Sequence, residues 1–71
     1  MLQLEVGKKY ISRNGMFVHI LREFAGLFYD QFDNIFKGNG EFGKSCSQYN
    51  LISEHNFTKA EMGENNKKYN I

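Results

Sequence analysis

A chain of 71 residues holds one small domain, and its nine Lys and Arg nearly balance eight Asp and Glu. A domain this short buries only about 60% of its unfolded surface, so such scaffolds usually lean on a disulfide, a metal or another subunit. The single Cys46 excludes an internal disulfide, and two separated histidines beside it exclude a zinc knuckle. Homo-oligomerisation is the support that remains.

The first six residues show no basic region followed by an apolar stretch, so no secretory signal is expected. No apolar run approaches the ~20 residues that cross a bilayer. A lone thiol fits a reducing cytosol. The expected setting is cytoplasmic, without membrane contact.

The clearest structural signal spans residues 6–23, where Asn14-Gly15 separates two β-prone runs. Asn-Gly is the preferred pair of a two-residue type I′ hairpin, because both central residues need positive φ. That loop pairs Arg13 with Met16, Ile11 with Val18 and Lys9 with Ile20. The core face is then Ile11, Met16, Val18 and Ile20, leaving Tyr10, Ser12, Phe17, His19 and Leu21 on the other. Both faces are rather apolar, and both want cover. A helical reading of residues 16–29 competes, since Phe17, Ile20, Leu21, Phe24 and Phe28 stand near helical spacing.

Residues 26–32 form a third β-prone run, residues 35–37 a fourth and residues 47–53 a fifth, with turn residues between them. Short strands at this spacing predict a mainly β fold: a small antiparallel SH3-like or OB-like barrel or sheet of about five strands. Composition changes after Glu54, dividing the chain into a β-domain at 1–54 and a polar tail or short helix at 55–71. Thr58 as N-cap with Glu61 three residues on makes a capping box, flanked by Phe57 and Met62 at the staple positions. Tyr69 and Ile71 are the tail's later anchors.

Gly38-Asn39-Gly40-Glu41-Phe42-Gly43-Lys44-Ser45 matches G-x-x-x-x-G-K-[ST] and contains G-x-G-x-x-G. Both motifs need a strand before and a helix after. Residues 46–51 lack helical periodicity, so a nucleotide-hydrolysing P-loop is not expected. A Gly-rich turn is the plain reading. A loop whose free N–H groups, Lys44, Ser45 and Ser47 cup a phosphate without hydrolysing it is the functional one.

No nucleophile, base and orienting group can be assembled. Cys46 has Lys44 nearby but no base. Asp30 and Asp33 flank a turn and read as turn formers that bond nearby backbone. His19 reads as a packed or rim histidine and His55 as solvated. No enzyme, metal or cofactor is expected. The aromatics, seven Phe and four Tyr, exceed what so small a core hides. Tyr10, Phe17, Phe28, Tyr29 and Phe42 are the candidate stacking or interface residues. Lys8, Lys9, Arg13, Arg22, Gly40, Gly43, Lys44 and Ser45 are the candidate ligand contacts. Within residues 1–54, Lys8, Lys9, Arg13, Arg22, Lys37 and Lys44 meet Glu5, Glu23, Asp30, Asp33, Glu41 and Glu54, six against six. Duplex nucleic acid wants a basic surplus and is not expected.

Gly7, Tyr10, Arg13, Asn14, Gly15, Val18 and Ile20 follow the pattern G-x-x-Y-x-x-R-[DN]-G-x-x-V-x-I. Asn39-Gly40-Glu41-Phe42 is similar to an N/D-G-R-[FY] turn, and residues 47–52 fit a closing S-x-[FY]-[DN]-L-[IV] strand. In these features residues 6–54 resemble a family of small bacteriophage and prophage β-domains. Glu41 stands where those domains often carry Arg, which weakens any anion site built on that residue. The resemblance implies a phage accessory protein in the host cytoplasm that counters host antiviral defence. It would act by sequestering a nucleotide second messenger in a homo-oligomer or by binding a host defence protein through an aromatic surface. Single-stranded nucleic-acid binding is a third expectation.

Overall fold

Five antiparallel strands, β1 (Lys9–Ser12), β2 (Phe17–Phe24), β3 (Leu27–Asp30), β4 (Ile35–Lys37) and β5 (Leu51–Glu54), form one sheet in the order β4-β3-β2-β1-β5. A short helix, α1 (Lys59–Asn65), follows. The structure is a computed structural model and describes residues 2–69. Four strands meander, and the fifth returns after a 3-10 turn (Ser47–Tyr49) to pair with β1. The sheet curls until Leu51 N–H donates to Gly40 O at 2.8 Å and Phe36 bridges Phe42. The result is the expected small antiparallel β architecture of five strands, curled into a half-barrel. Residues 17–29 are strand and turn and Met16 is not helical, so the helical alternative does not hold.

The first hairpin departs from its expected register by one residue. Tyr10 faces Val18 and Ile11 faces Phe17. The loop holds three residues, with Gly15 at φ 92° and Ser12 N–H donating to Met16 O. This is the three-residue loop in which a left-handed Gly forms a bulge. Since side chains alternate, a one-residue slip turns a whole strand over. Tyr10 therefore lies in the core beside Met16, Val18 and Ile20, and Ile11 does not. Burial suits Tyr10 because its hydroxyl accepts from Glu5 N–H at 2.9 Å. The two-residue turn with both φ positive is instead Ala25-Gly26, at 55° and 81°, joining β2 to β3.

Register also shifts between Ile20 and Arg22 in the β2–β3 pairing, which leaves Leu21 as the extra residue of a bulge. Bulges bend strands and increase twist. The first half of β2 pairs β1, whereas the second half runs on as a ribbon with β3. Beyond Asp30, β3 no longer lines the β2 edge at Phe17 and His19. Side-chain amides take over: Gln31 Oε1 accepts from His19 N–H, and Asn66 bonds both backbone groups of Phe17. Asp30 is buried and ties its own turn, accepting from the N–H of Phe32 and Asn34 and from the Asn34 amide. That turn ends the third strand short of residue 32, and the 3-10 turn delays the fifth strand to Leu51.

The expected capping box is present, Thr58 with Glu61, and opens α1. Phe57 stacks on Phe17 with centroids 4.7 Å apart. The tail therefore covers the outer face of the β1–β2 hairpin, while the barrel core covers the inner. Tyr69 Oη donates to Asn14 O at 2.6 Å; Ile71 lies outside the described residues. Leu4, in the segment before β1, joins the core, with its N–H donating to Gly38 O.

Candidate functional site

The residues singled out in the sequence do not converge on one place. Lys8 pairs with Glu5 at 3.3 Å and Glu54 at 3.6 Å. Hydrogen bonding to Glu5, and the charge of both carboxylates, raise its pKa above the ordinary lysine value. Lys9 is beside it, its Nζ donating to Phe57 O at 2.6 Å. Arg13 is exposed at the hairpin turn, where its N–H donates to Asn50 O. Ser45 is exposed in the loop after β4.

The Gly-rich loop closes the barrel. The N–H groups of Gly40, Glu41, Phe42 and Gly43 donate to Lys37 O, Asn39 Oδ1, Asn50 Oδ1 and Ile35 O. None of these four is free to cup a phosphate. Gly40 is buried at φ 95°, and a Cβ there would meet Leu51 O and Leu2 Cδ2 at 2.9 Å. The 3-10 turn that follows is not the helix a P-loop needs. Two expected stacking aromatics are likewise core residues. Tyr10 is fully buried, and Phe42 packs between Phe36 and Tyr49. Phe28 is half-buried against the core, and Phe17 lies between Phe57 and His55.

Arg22, Tyr29 and Lys44 do share a surface, together with residues the sequence reading did not single out. Cross-strand partners point to the same face. The register thus lays two rows across the outer face of β2–β3–β4: Arg22, Tyr29, Ile35 and then Phe24, Leu27, Lys37. The Arg22 guanidinium sits 4.3 Å from the Tyr29 ring centroid and donates to Asp33 Oδ1 at 2.6 Å. Phe24 is 71% exposed, and Leu27 and Ile35 are exposed beside it. A depression of about 490 Å³ continues this face past Ile35 and Lys37 to Gly43 and Lys44. Alternation within residues 22–24, 27–29 and 35–37 was the available signal, but only pairing brings the three runs into rows.

A second surface lies where α1 meets the sheet. A groove of about 420 Å³ runs between Lys9, His19 and Leu21 on the strands and Phe57, Lys59 and Met62 on the tail. The bulge at Leu21 and the stacking of Phe57 on Phe17 create it. Cys46 is half-buried at the edge of the core. Among the described residues, no three His, Cys, Asp or Glu gather to hold a metal, and no helix is long and apolar enough to cross a membrane.

Comparisons with family models, curated proteins and solved structures return no match to this chain. Its class rests on fold and surface: a small β half-barrel with an exposed aromatic and basic ribbon.

Proposed function

We propose that the protein is a non-enzymatic binding module that holds a protein partner against the outer face of β2–β3–β4. The observation behind this reading is the pair of cross-strand rows, with Phe24 71% exposed beside the Arg22–Tyr29 stack. Phe24 serves no core of its own chain, and contiguous exposed apolar side chains rimmed by charge mark interaction surfaces. Tyr and Arg are the residue types in which interface energy concentrates. Arg22, Lys37 and Lys44 outweigh Asp33 here, which favours a partner with carboxylates around an apolar recess.

The resemblance to phage β-domains supports taking that partner to be a host defence protein met in the host cytoplasm. Self-association is less needed than composition alone implies, because α1 already covers the second face of the first hairpin. Sequestration of a nucleotide signal gains nothing from the Gly-rich loop, whose four central N–H groups are engaged.

The test is affinity capture from host lysate with wild type and the Phe24→Ser/Leu27→Ser variant, followed by reconstitution with the purified captured protein. A defined complex that the variant loses, with unfolding unchanged, supports the reading. Equal binding by the variant sinks it. So does a wild-type dimer in light scattering that the variant turns into monomer, because the face is then a self-interface.

A further inference from the structure

We propose that the groove between the β1–β2 hairpin and α1 binds a small organic anion with an apolar body, about the size of a mononucleotide. Its volume of about 420 Å³ falls in the range of small-molecule sites, roughly 300–1,000 Å³. No carboxylate lines it, whereas Lys9, its cross-strand partner His19, and Lys59 do. A neighbouring hollow of about 460 Å³ shares Gln31, Lys59 and Met62 with it and adds Lys67, whose ammonium pairs with Glu64 at 3.1 Å. In a chain of nearly neutral charge, Lys9 and Lys59 give the groove itself a local positive charge.

The charge is also held in place. Lys9 Nζ is fixed by Phe57 O at 2.6 Å and stands 5.2 Å from the Phe57 ring centroid. An ammonium has three donors, so two remain for an anionic head. Leu21 and Met62 supply an apolar floor, and a thioether packs well against a flat ring or an acyl chain. Gln31 keeps its amide on the β2 backbone, bonding His19 N–H and Phe17 O. It therefore shapes the wall rather than competing for the anion.

A phosphate on a nucleoside and a carboxylate on a short acyl chain offer the groove the same features, an anionic head on a body with an apolar face: the flat of the base in one, the chain in the other. NMR titration with adenosine monophosphate and with octanoate distinguishes them, and adenosine and octanol serve as neutral controls. The expected result is that one or both anions shift the signals of His19, Leu21 and Met62 while the neutral compounds do not. Lys59→Glu, an exposed change in the first turn of α1 where an acidic residue suits the helix, should weaken binding by at least about tenfold. No shift at these residues with either anion at millimolar concentration overturns the proposal. Equal binding of the neutral controls, or no effect of Lys59→Glu, does the same. The ribbon face contributes no residue to this groove, so either proposal can fail while the other stands.

Discussion

The side-chain amide of Asn66 stands in for a strand against Phe17. Its Nδ2 donates to Phe17 O at 2.6 Å, and its Oδ1 accepts from Phe17 N–H at 2.9 Å. A residue from the polar tail thus completes the sheet edge that β3 leaves when it turns at Asp30. Asn65 reinforces the dock by donating to Gly15 O and to Asn66 Oδ1.

Asn66→Ala should therefore destabilise the fold by about 1–3 kcal/mol, because it strands Phe17 N–H, whereas Phe17 O keeps the Gln31 amide as a donor. Thr58→Ala, which removes only the helix cap, should cost about 1 kcal/mol. Denaturant midpoints of the two variants measure the difference. An Asn66→Ala loss no larger than that of Thr58→Ala would show that the tail is not part of the cooperative unit.

The two glycines that begin the Gly-rich motif should behave differently. Gly40→Ala combines a positive φ with a Cβ 2.9 Å from Leu51 O, and should cost about 2–4 kcal/mol. At Gly38 the nearest neighbours of an added Cβ are side-chain atoms at 3.6 and 3.8 Å, so Gly38→Ala should stay within about 0.5 kcal/mol. Thermal melts of both variants check this contrast, which follows from barrel closure rather than from phosphate binding.

Burial raises the pKa of Asp30 above its ordinary 3.8, against the opposing hydrogen bonds from Asn34 and Phe32. The folded state then holds this proton more tightly than the unfolded chain does. Stability from this group is present in full below the ordinary value and is lost as pH rises through the folded pKa. Comparing wild type with Asp30→Asn by urea unfolding between pH 3.5 and about pH 7 isolates the effect. Relative to the variant, wild type should lose stability as pH rises through that window; a gain would reverse the assignment.

On the ribbon, Phe24→Ser should leave the unfolding midpoint within about 0.5 kcal/mol of wild type, since the ring is exposed. Partner affinity should fall at least tenfold, about 1.4 kcal/mol or more, if Phe24 anchors the interface. Unfolding curves and a binding isotherm on the same preparation separate the two effects.

Phe57→Ala tests the other side of the sheet. Phe57 is buried, stacks on Phe17 and lines the groove with Met62, so its loss should cost about 3–5 kcal/mol. Hydrogen exchange should then show α1 opening together with the first half of β2.

Local chemistry made much of this fold legible. Strands alternate over a few residues, Thr58 and Glu61 are a short-range pair, and Asp30 bonds groups within four residues of itself. What depends on distant partners was not legible. Asn14-Gly15 is compatible with a two-residue or a three-residue loop, and the choice turns on whether Tyr10 or Ile11 enters the core. Tyr10 enters because Glu5 N–H meets its hydroxyl there. Ala25 carries no local signal for its φ of 55° and adopts it because the ribbon needs a tight turn beside Gly26.

The candidate sites divide along the same line. Composition already showed many aromatics for a chain this small and a nearly balanced charge, and both are properties of the chain regardless of how it folds. The sequence also contained a loop that looked like a phosphate cradle. Folding engaged that loop's N–H groups in closing the barrel, because buried backbone donors must find partners. Strand pairing then assembled the Arg22–Tyr29–Ile35 and Phe24–Leu27–Lys37 rows from three separate runs. Docking of the tail placed Lys59 and Met62 opposite Lys9 and Leu21. Such surfaces join residues far apart in the chain, and only long-range register and packing bring them together.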